Sequence, residues 1–147
     1  MHKMDIDTTA AFGISDTLSG DTPAVGNIVD VTDYQHVTFL YQTGAVTDAG
    51  AAAGFSVEVQ ESDTTAAADF AAVADADLVG AESDLAVTGD GTDSVAIGNL
   101  RYIGNKRYVR VVVTGTASTD AVVNGIWALQ GPRYAPKGDA AANIAAT

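Results

Sequence analysis

The sequence predicts an all-β, single-domain protein, an antiparallel β-sandwich or small barrel with an extended N-terminal arm. Three observations carry this. Apolar residues recur at every second position in several separate runs, which is the period of a strand with one buried face. Clusters of Gly, Asp, Asn, Thr and Pro divide those runs at short intervals, as turns divide the strands of a sandwich. A chain of 147 residues that is 47% hydrophobic is long enough to bury roughly 68–70% of its unfolded surface around one core.

Residues 1–19 lack sustained alternation and carry scattered apolar anchors at Ile6, Phe12, Ile14 and Leu18. Such a segment either frays or serves as an arm that orders on a neighbouring subunit. The β-domain is expected over residues 20–134. Gly20-Asp21-Thr22-Pro23 is a turn, and Gly26–Val31 is a short strand candidate. In Tyr34–Thr43, Val37, Phe39 and Tyr41 point one way while His36, Thr38 and Gln42 point the other. Phe55, Val57 and Val59 alternate with Ser56, Glu58 and Gln60.

Thr64–Leu78 breaks the pattern. It holds seven alanines, with Phe70 and Val73 three apart, and predicts a short helix ending near Ala74–Asp77. Ser94–Leu100 is another strand candidate. Ile103-Gly104-Asn105-Lys106 predicts a tight reversal inside a hairpin. Val109, Val111 and Val113 alternate with Tyr108, Arg110 and Val112. Val123, Trp127 and Leu129 alternate with Asn124, Ile126, Ala128 and Gln130, which reads as a strand covered on both faces, with Trp127 in the core. Pro132 and Pro136 forbid continuation of that strand, and residues 135–147 form an Ala-rich tail.

Charge is segregated along the chain. Before residue 100 the only basic side chain is Lys3, against seventeen carboxylates; after it only Asp120 and Asp139 are acidic. Leu100–Val113 holds Arg101, Lys106, Arg107 and Arg110, four of the seven basic residues. This division suits a protein that presents two electrostatically different surfaces, one to solvent and one to a partner. A net charge of −12 argues against nucleic acid and anionic membranes as partners. A saline habitat or a GC-rich coding bias produces similar composition. The acidic loops around Asp48, Asp63, Asp75–Asp84 and Asp90–Asp93 are expected to face solvent.

Chemistry-bearing constellations are scarce. Cysteine is absent, which excludes disulfides and thiolate chemistry. The two histidines are His2, at the start, and His36, within a strand, so neither a triad nor a two-histidine metal site assembles readily. No nucleophile elbow, phosphate loop or dinucleotide fingerprint occurs. The Asp75/Asp77 and Asp90/Asp93 pairs read as solvated loops. Gly89-Asp90-Gly91-Thr92-Asp93-Ser94 offers the hard oxygens calcium prefers, but lacks the closing Glu of a calcium loop and equally reads as a hairpin turn. No enzyme activity, cofactor or metal is expected. The start Met1-His2-Lys3-Met4-Asp5 does not read as a secretory signal, and no apolar run approaches the length of a membrane span.

The pairs Arg101-Tyr102, Arg107-Tyr108 and Arg133-Tyr134 are of the type favoured at protein–protein interfaces. With Lys106 and Arg110, and with Ile6, Phe12 and Leu18 of the arm, they form the expected attachment surface. Alternation puts Tyr108 and Arg110 on one face, opposite Val109 and Val111, so they can be displayed while valines fill the core. Alternatively these basic residues pair with the protein's own acids.

At these residues the chain resembles a family of small structural proteins of tailed bacteriophages, encoded beside the major capsid protein. The resemblance rests on Gly20-Asp21-Thr22-Pro23 leading into Val25–Val31, on Tyr34–Gly44, Phe55–Glu61 and Ala72–Gly80, and most specifically on Tyr102-Ile103-Gly104-Asn105-Lys106-Arg107-Tyr108-Val109-Arg110. Ala140–Thr147 lies outside it. The resemblance implies a capsid decoration, or cement, protein on the outer surface of the virion head. It further implies the major capsid protein as partner, a homo-trimer at local three-fold positions, and no catalytic residues. A rival of another class is a tail- or fibre-associated adhesin or carbohydrate-binding module, which an exposed aromatic platform would favour. A hydrolase is made remote by the histidine count.

Overall fold

Period-2 alternation becomes two antiparallel sheets packed face to face. The computed structural model describes residues 8–47, 55–87, 89–91, 97–133 and 143–144. Among the described residues eleven strands run in chain order: β1 (Thr8–Ser19), β2 (Ala24–Val25), β3 (Ile28–Asp30), β4 (Tyr34–Thr47), β5 (Ser56–Ser62), β6 (Ala71–Ala72), β7 (Leu78–Val79), β8 (Ile97–Tyr102), β9 (Tyr108–Thr114), β10 (Asp120–Pro132) and β11 (Asn143–Ile144). Sheet A has the order β1-β10-β4-β8-β7. Sheet B has the order β11-β3-β9-β5-β6, with β2 also on β9. The fold is a single-domain β-sandwich rather than a closed barrel.

The inward rows are the ones the alternation marks. Trp127 pairs with Phe39, which pairs with Leu100, and all three are buried. The Phe39 and Trp127 rings lie 4.9 Å apart, tilted by 44°, an arrangement that aromatic quadrupoles favour. Val57, Val59, Val109, Val111 and Val113 supply the opposing layer in the same cluster. The Phe39 ring needs space that Gly125 provides, because a Cβ at residue 125 would overlap its edge.

Four expectations are corrected. The arm, over its described residues 8–19, is strand β1, paired to β10 from Thr8↔Gln130 to Ser19↔Asp120. A register shift between Phe12 and Ile14 breaks its period, so Ala11, Ile14 and Leu18 all reach the core from a run that does not alternate. Gly13 permits this: a Cβ there would come within 2.8 Å of the Gly125 carbonyl oxygen. Ile6 lies outside the described residues.

The expected short helix over Thr64–Leu78 is two single 3-10 turns, Ala67–Asp69 and Asp75–Asp77, separated by β6. Alanine propensity loses to the unpaired edge of β5, which draws this segment into extended pairing through Gln60↔Ala72 and Val73 N–H to the Val59 carbonyl (2.9 Å). Residues 103–107 do not close a hairpin: β8 belongs to sheet A and β9 to sheet B, so the segment crosses between sheets. Finally, β10 is covered on its Trp127 face alone, and Ile126 on the other face is 42% exposed.

Replacing Gly125 with Ala forces the Cβ into the Phe39 ring and should destabilise the domain by about 1–3 kcal/mol in urea unfolding. Unchanged stability would contradict the tight packing of this row.

Candidate functional site

The crossover from β8 to β9 gathers the cationic residues. Its geometry begins with Tyr102, the last residue of β8, whose ring is buried beneath the segment that follows. The Tyr102 hydroxyl donates to Glu61 Oε2 (2.5 Å) and accepts from the Lys106 backbone N–H (2.9 Å). Burial first, and then the bond to Glu61, push this phenol far above its ordinary range. The chain folds across the ring face because residue 104 is glycine; a Cβ there would lie 2.5 Å from the ring. Ile103 N–H bonds the Asp77 carbonyl (2.8 Å) and Val31 N–H bonds the Arg107 carbonyl (2.9 Å), tying down both ends.

The crossover, Val31 and Thr32, the start of β4 and Arg133 after β10 surround a hollow of about 580 Å³ at one end of the sandwich. Arg101, Lys106, Arg107 and Arg133 all line it, against one carboxylate, Asp63. Lys106 Nζ meets Asp63 Oδ2 at 2.6 Å. Arg107 donates from Nε (3.0 Å) and Nη2 (2.9 Å) to Asp30 Oδ2. Arg101 Nη2 lies 3.0 Å from His36 Nδ1. Arg133 is exposed, and its backbone N–H is held by the Asp33 carbonyl (2.7 Å). Burial raises the Asp30 carboxyl, but the bonds from Arg107 and Thr32 outweigh it and hold the group below its ordinary value. The bond from Lys106 likewise lowers Asp63. Two cations are thus held in place by the protein's own acids, while all four remain around the hollow.

Of the expected attachment residues, Arg101, Lys106, Arg107 and Arg133 are brought together, with Tyr102 as their buried support. Tyr108 and Arg110 do share the face opposite Val109 and Val111, but that face is covered, correcting the expectation of display. Arg110 is 9% exposed: its guanidinium lies 4.2 Å over the Phe70 ring and Nε donates to Gln60 Oε1 (2.8 Å). The 3-10 turn at Ala67–Asp69 supplies this lid, and burial lowers the Arg110 pKa from its ordinary value. Leu18 is core rather than anchor, whereas Phe12 is exposed on the outer face of sheet A. Ile6 and Tyr134 lie outside the described residues.

Asp75, Asp84 and Asp90 are exposed, as expected of solvated loops; Asp63 is exposed but sits at the hollow paired with Lys106, Asp77 and Glu82 are half-buried, Glu82 accepting the Val59 N–H, and Asp48 and Asp93 lie outside the described residues. In the candidate calcium loop, Gly91 makes a reciprocal backbone bridge with Val46, and Thr92–Ser94 fall outside the described residues. Among the described residues no group of three His, Asp or Glu side chains could hold a metal ion.

The outer face of sheet A was not singled out by sequence. The residues on it are Thr8, Gln130 and His36 in one row, Ala10, Ala128, Thr38, Arg101 and the exposed Val79 in the next, then Phe12, Ile126, Leu40 and Asn99, then Ser15, Asn124 and Gln42, then Thr17 and Val122. These rows contain no carboxylate. The signal for it was present: apolar residues of both parities in β4 and β10. No protein-family model, curated protein or solved structure matches the chain.

Two predictions follow from the crossover. Tyr102→Phe removes the bridge to Glu61 and Lys106 and should cost about 1–3 kcal/mol in denaturant unfolding; no loss would contradict its anchoring role. Because Asp30 and Asp63 titrate lower in the folded state, their pairs are intact above the ordinary Asp value of about 3.9 and are lost as the pH falls through the folded values. Asp30→Asn should therefore flatten part of the acid limb of a stability–pH profile, and an unaltered limb would contradict the assignment.

Proposed function

We propose that this chain is a non-catalytic structural protein of a tailed-bacteriophage virion, binding the outer surface of the assembled capsid and stiffening the head against internal DNA pressure. The observation that carries this reading is the gathering of Arg101, Lys106, Arg107 and Arg133 around one hollow of an otherwise acidic β-sandwich. Such an end can meet carboxylates and backbone carbonyls of a partner, and potentials of opposite sign set register and orientation. Lys106 and Arg107 pair with the protein's own Asp63 and Asp30, so at this end the reading rests on the charges of Arg101 and Arg133. The family resemblance contributes the partner, the major capsid protein, and three copies at local three-fold positions.

Mechanically, each copy bridges neighbouring capsid subunits and buries area across joints that internal pressure would open. A protein that binds only the expanded lattice stabilises that lattice by mass action, in proportion to RT ln(1 + [L]/Kd). The exposed acids at Asp75 and Asp84 then face solvent, where they need no desolvation. An adhesin or carbohydrate-binding role has less support: among the described residues Phe12 is the sole large aromatic ring exposed, and Trp127 is fully buried.

Arg101→Glu with Arg133→Glu leaves the Asp30 and Asp63 pairs intact while reversing the hollow's free charge. Co-sedimentation with expanded, DNA-free capsids should show affinity reduced about tenfold or more, equivalent to about 1.4 kcal/mol or more. Asp75→Asn with Asp84→Asn should bind like the parent. The opposite ranking would overturn the reading.

A further inference from the structure

We propose that the outer face of sheet A is covered by a second copy of this chain, the two faces stacking against each other. The argument starts from the aliphatic and aromatic side chains left open there. Phe12 (44% exposed), Ile126 (42%) and Leu40 (41%) form one continuous row across β1, β10 and β4, and Val122 (41%) lies two rows away on β10. Contiguous apolar surface of this kind marks contact sites, unlike apolar residues scattered singly. The shallow hollow beside Leu40 and Ile126 is edged by the carboxamides of Gln42, Asn99 and Asn124, groups that both donate and accept, with Asn124 Oδ1 accepting from the neighbouring Ser15 hydroxyl (3.0 Å). Such groups are self-complementary, so the same surface can serve both partners of a two-fold contact.

Charge selects the occupant. Two copies of a chain at −12 repel one another; of the carboxylates, Glu58, Glu61, Asp63 and Asp69 lie on or beside sheet B, and Asp75, Asp77, Glu82 and Asp84 flank β7, at the edge of sheet A beyond β8. The rows from Gln130 to Val122 carry none; Asp16 and Asp120 stand at their border, and Arg101 and His36 at the other end. Across these rows two acidic copies can approach without desolvating a carboxylate.

Area agrees. Nine residues at about 3.4 Å along β10 and four strands about 4.8 Å apart give a face of roughly 30 by 19 Å, or about 600 Å². Two such faces bury about 1,200 Å², the lower end of the range for specific, stable contacts. The pairing is two-fold, so on a capsid it would join copies at neighbouring three-fold sites rather than build one trimer. It does not rest on the capsid reading, since its central rows lie apart from the cationic hollow, with which the face shares Arg101 alone.

The natural absence of cysteine makes the test direct. Single-cysteine variants Asn124→Cys, in the row next to the central Ile126, and Ser83→Cys, exposed on the acidic side, are oxidised at low protein concentration, and the double variant Leu40→Lys/Ile126→Lys is followed by sedimentation equilibrium. Pairing predicts a disulfide-linked pair of chains for Asn124→Cys and little for Ser83→Cys. It also predicts a parent mass that doubles over a concentration series, with at least tenfold weaker association in the lysine variant. Equal cross-linking at both positions, no cross-link at Asn124→Cys, or association undiminished by the lysines overturns the proposal. Circular dichroism checks that the lysine variant is folded, and binding of that variant to expanded capsids reads the capsid proposal separately.

Discussion

The passage of the chain from one sheet to the other constrains everything that follows it. At residues 103–107 the backbone leaves sheet A, crosses the open end of the sandwich and enters sheet B. The Tyr102 hydroxyl holds it there, bonded to Glu61 on one side and Lys106 N–H on the other. A buried hydroxyl without partners would be costly, and with both it fixes a segment that has no strand pairing of its own. Arg101, Lys106 and Arg107 flank this anchor, so positioning the anchor positions the charge. Glycine at residue 104 is required by the same geometry, because the chain lies against the tyrosine ring.

Electrostatics then divides the molecule's surface into three. Acids crowd the loops between β5 and β8, cations collect around the hollow, and the outer face of sheet A is left nearly neutral. Internal pairing does not abolish this division. Lys106 and Arg107 neutralise Asp63 and Asp30, yet these are exposed pairs of small energetic value, and their main effect is to fix where the cations sit. Arg110 differs: sandwiched against Phe70 and bonded to Gln60, it serves the packing of the 64–72 segment on sheet B.

The sequence was legible where one face of a strand is buried and the other is wet. Period-2 alternation reports burial directly, and it marks Phe39, Val57, Val109 and Trp127, all buried, as core. Failures have particular causes. Gly13 and the adjoining register shift scramble the parity of β1, so a sheet strand resembled an arm. The alanines of residues 66–74 favour helix locally, but the edge of β5 captures them. Gly104-Asn105 carries the composition of a hairpin turn, and only tertiary context reveals that its flanking strands belong to different sheets. The gathering of Arg101, Lys106 and Arg107 was readable from proximity in sequence; Arg133 joins them because β10 ends beside the start of β4, a consequence of topology. The lid over Arg110 depends on which segment covers sheet B, information that no local pattern contains; the open face of sheet A leaves a local trace, apolar residues of both parities in β4 and β10, that reads equally as strands covered on both faces.

Hydrogen–deuterium exchange on the chain alone and on the chain bound to expanded capsids tests the central claim, that the cationic end is the attachment surface. The account predicts added protection of backbone amides at residues 101–107 and near 133, with amides at 75–84 unchanged. Protection confined to residues 75–84, with the crossover exchanging as it does in the free chain, would contradict it.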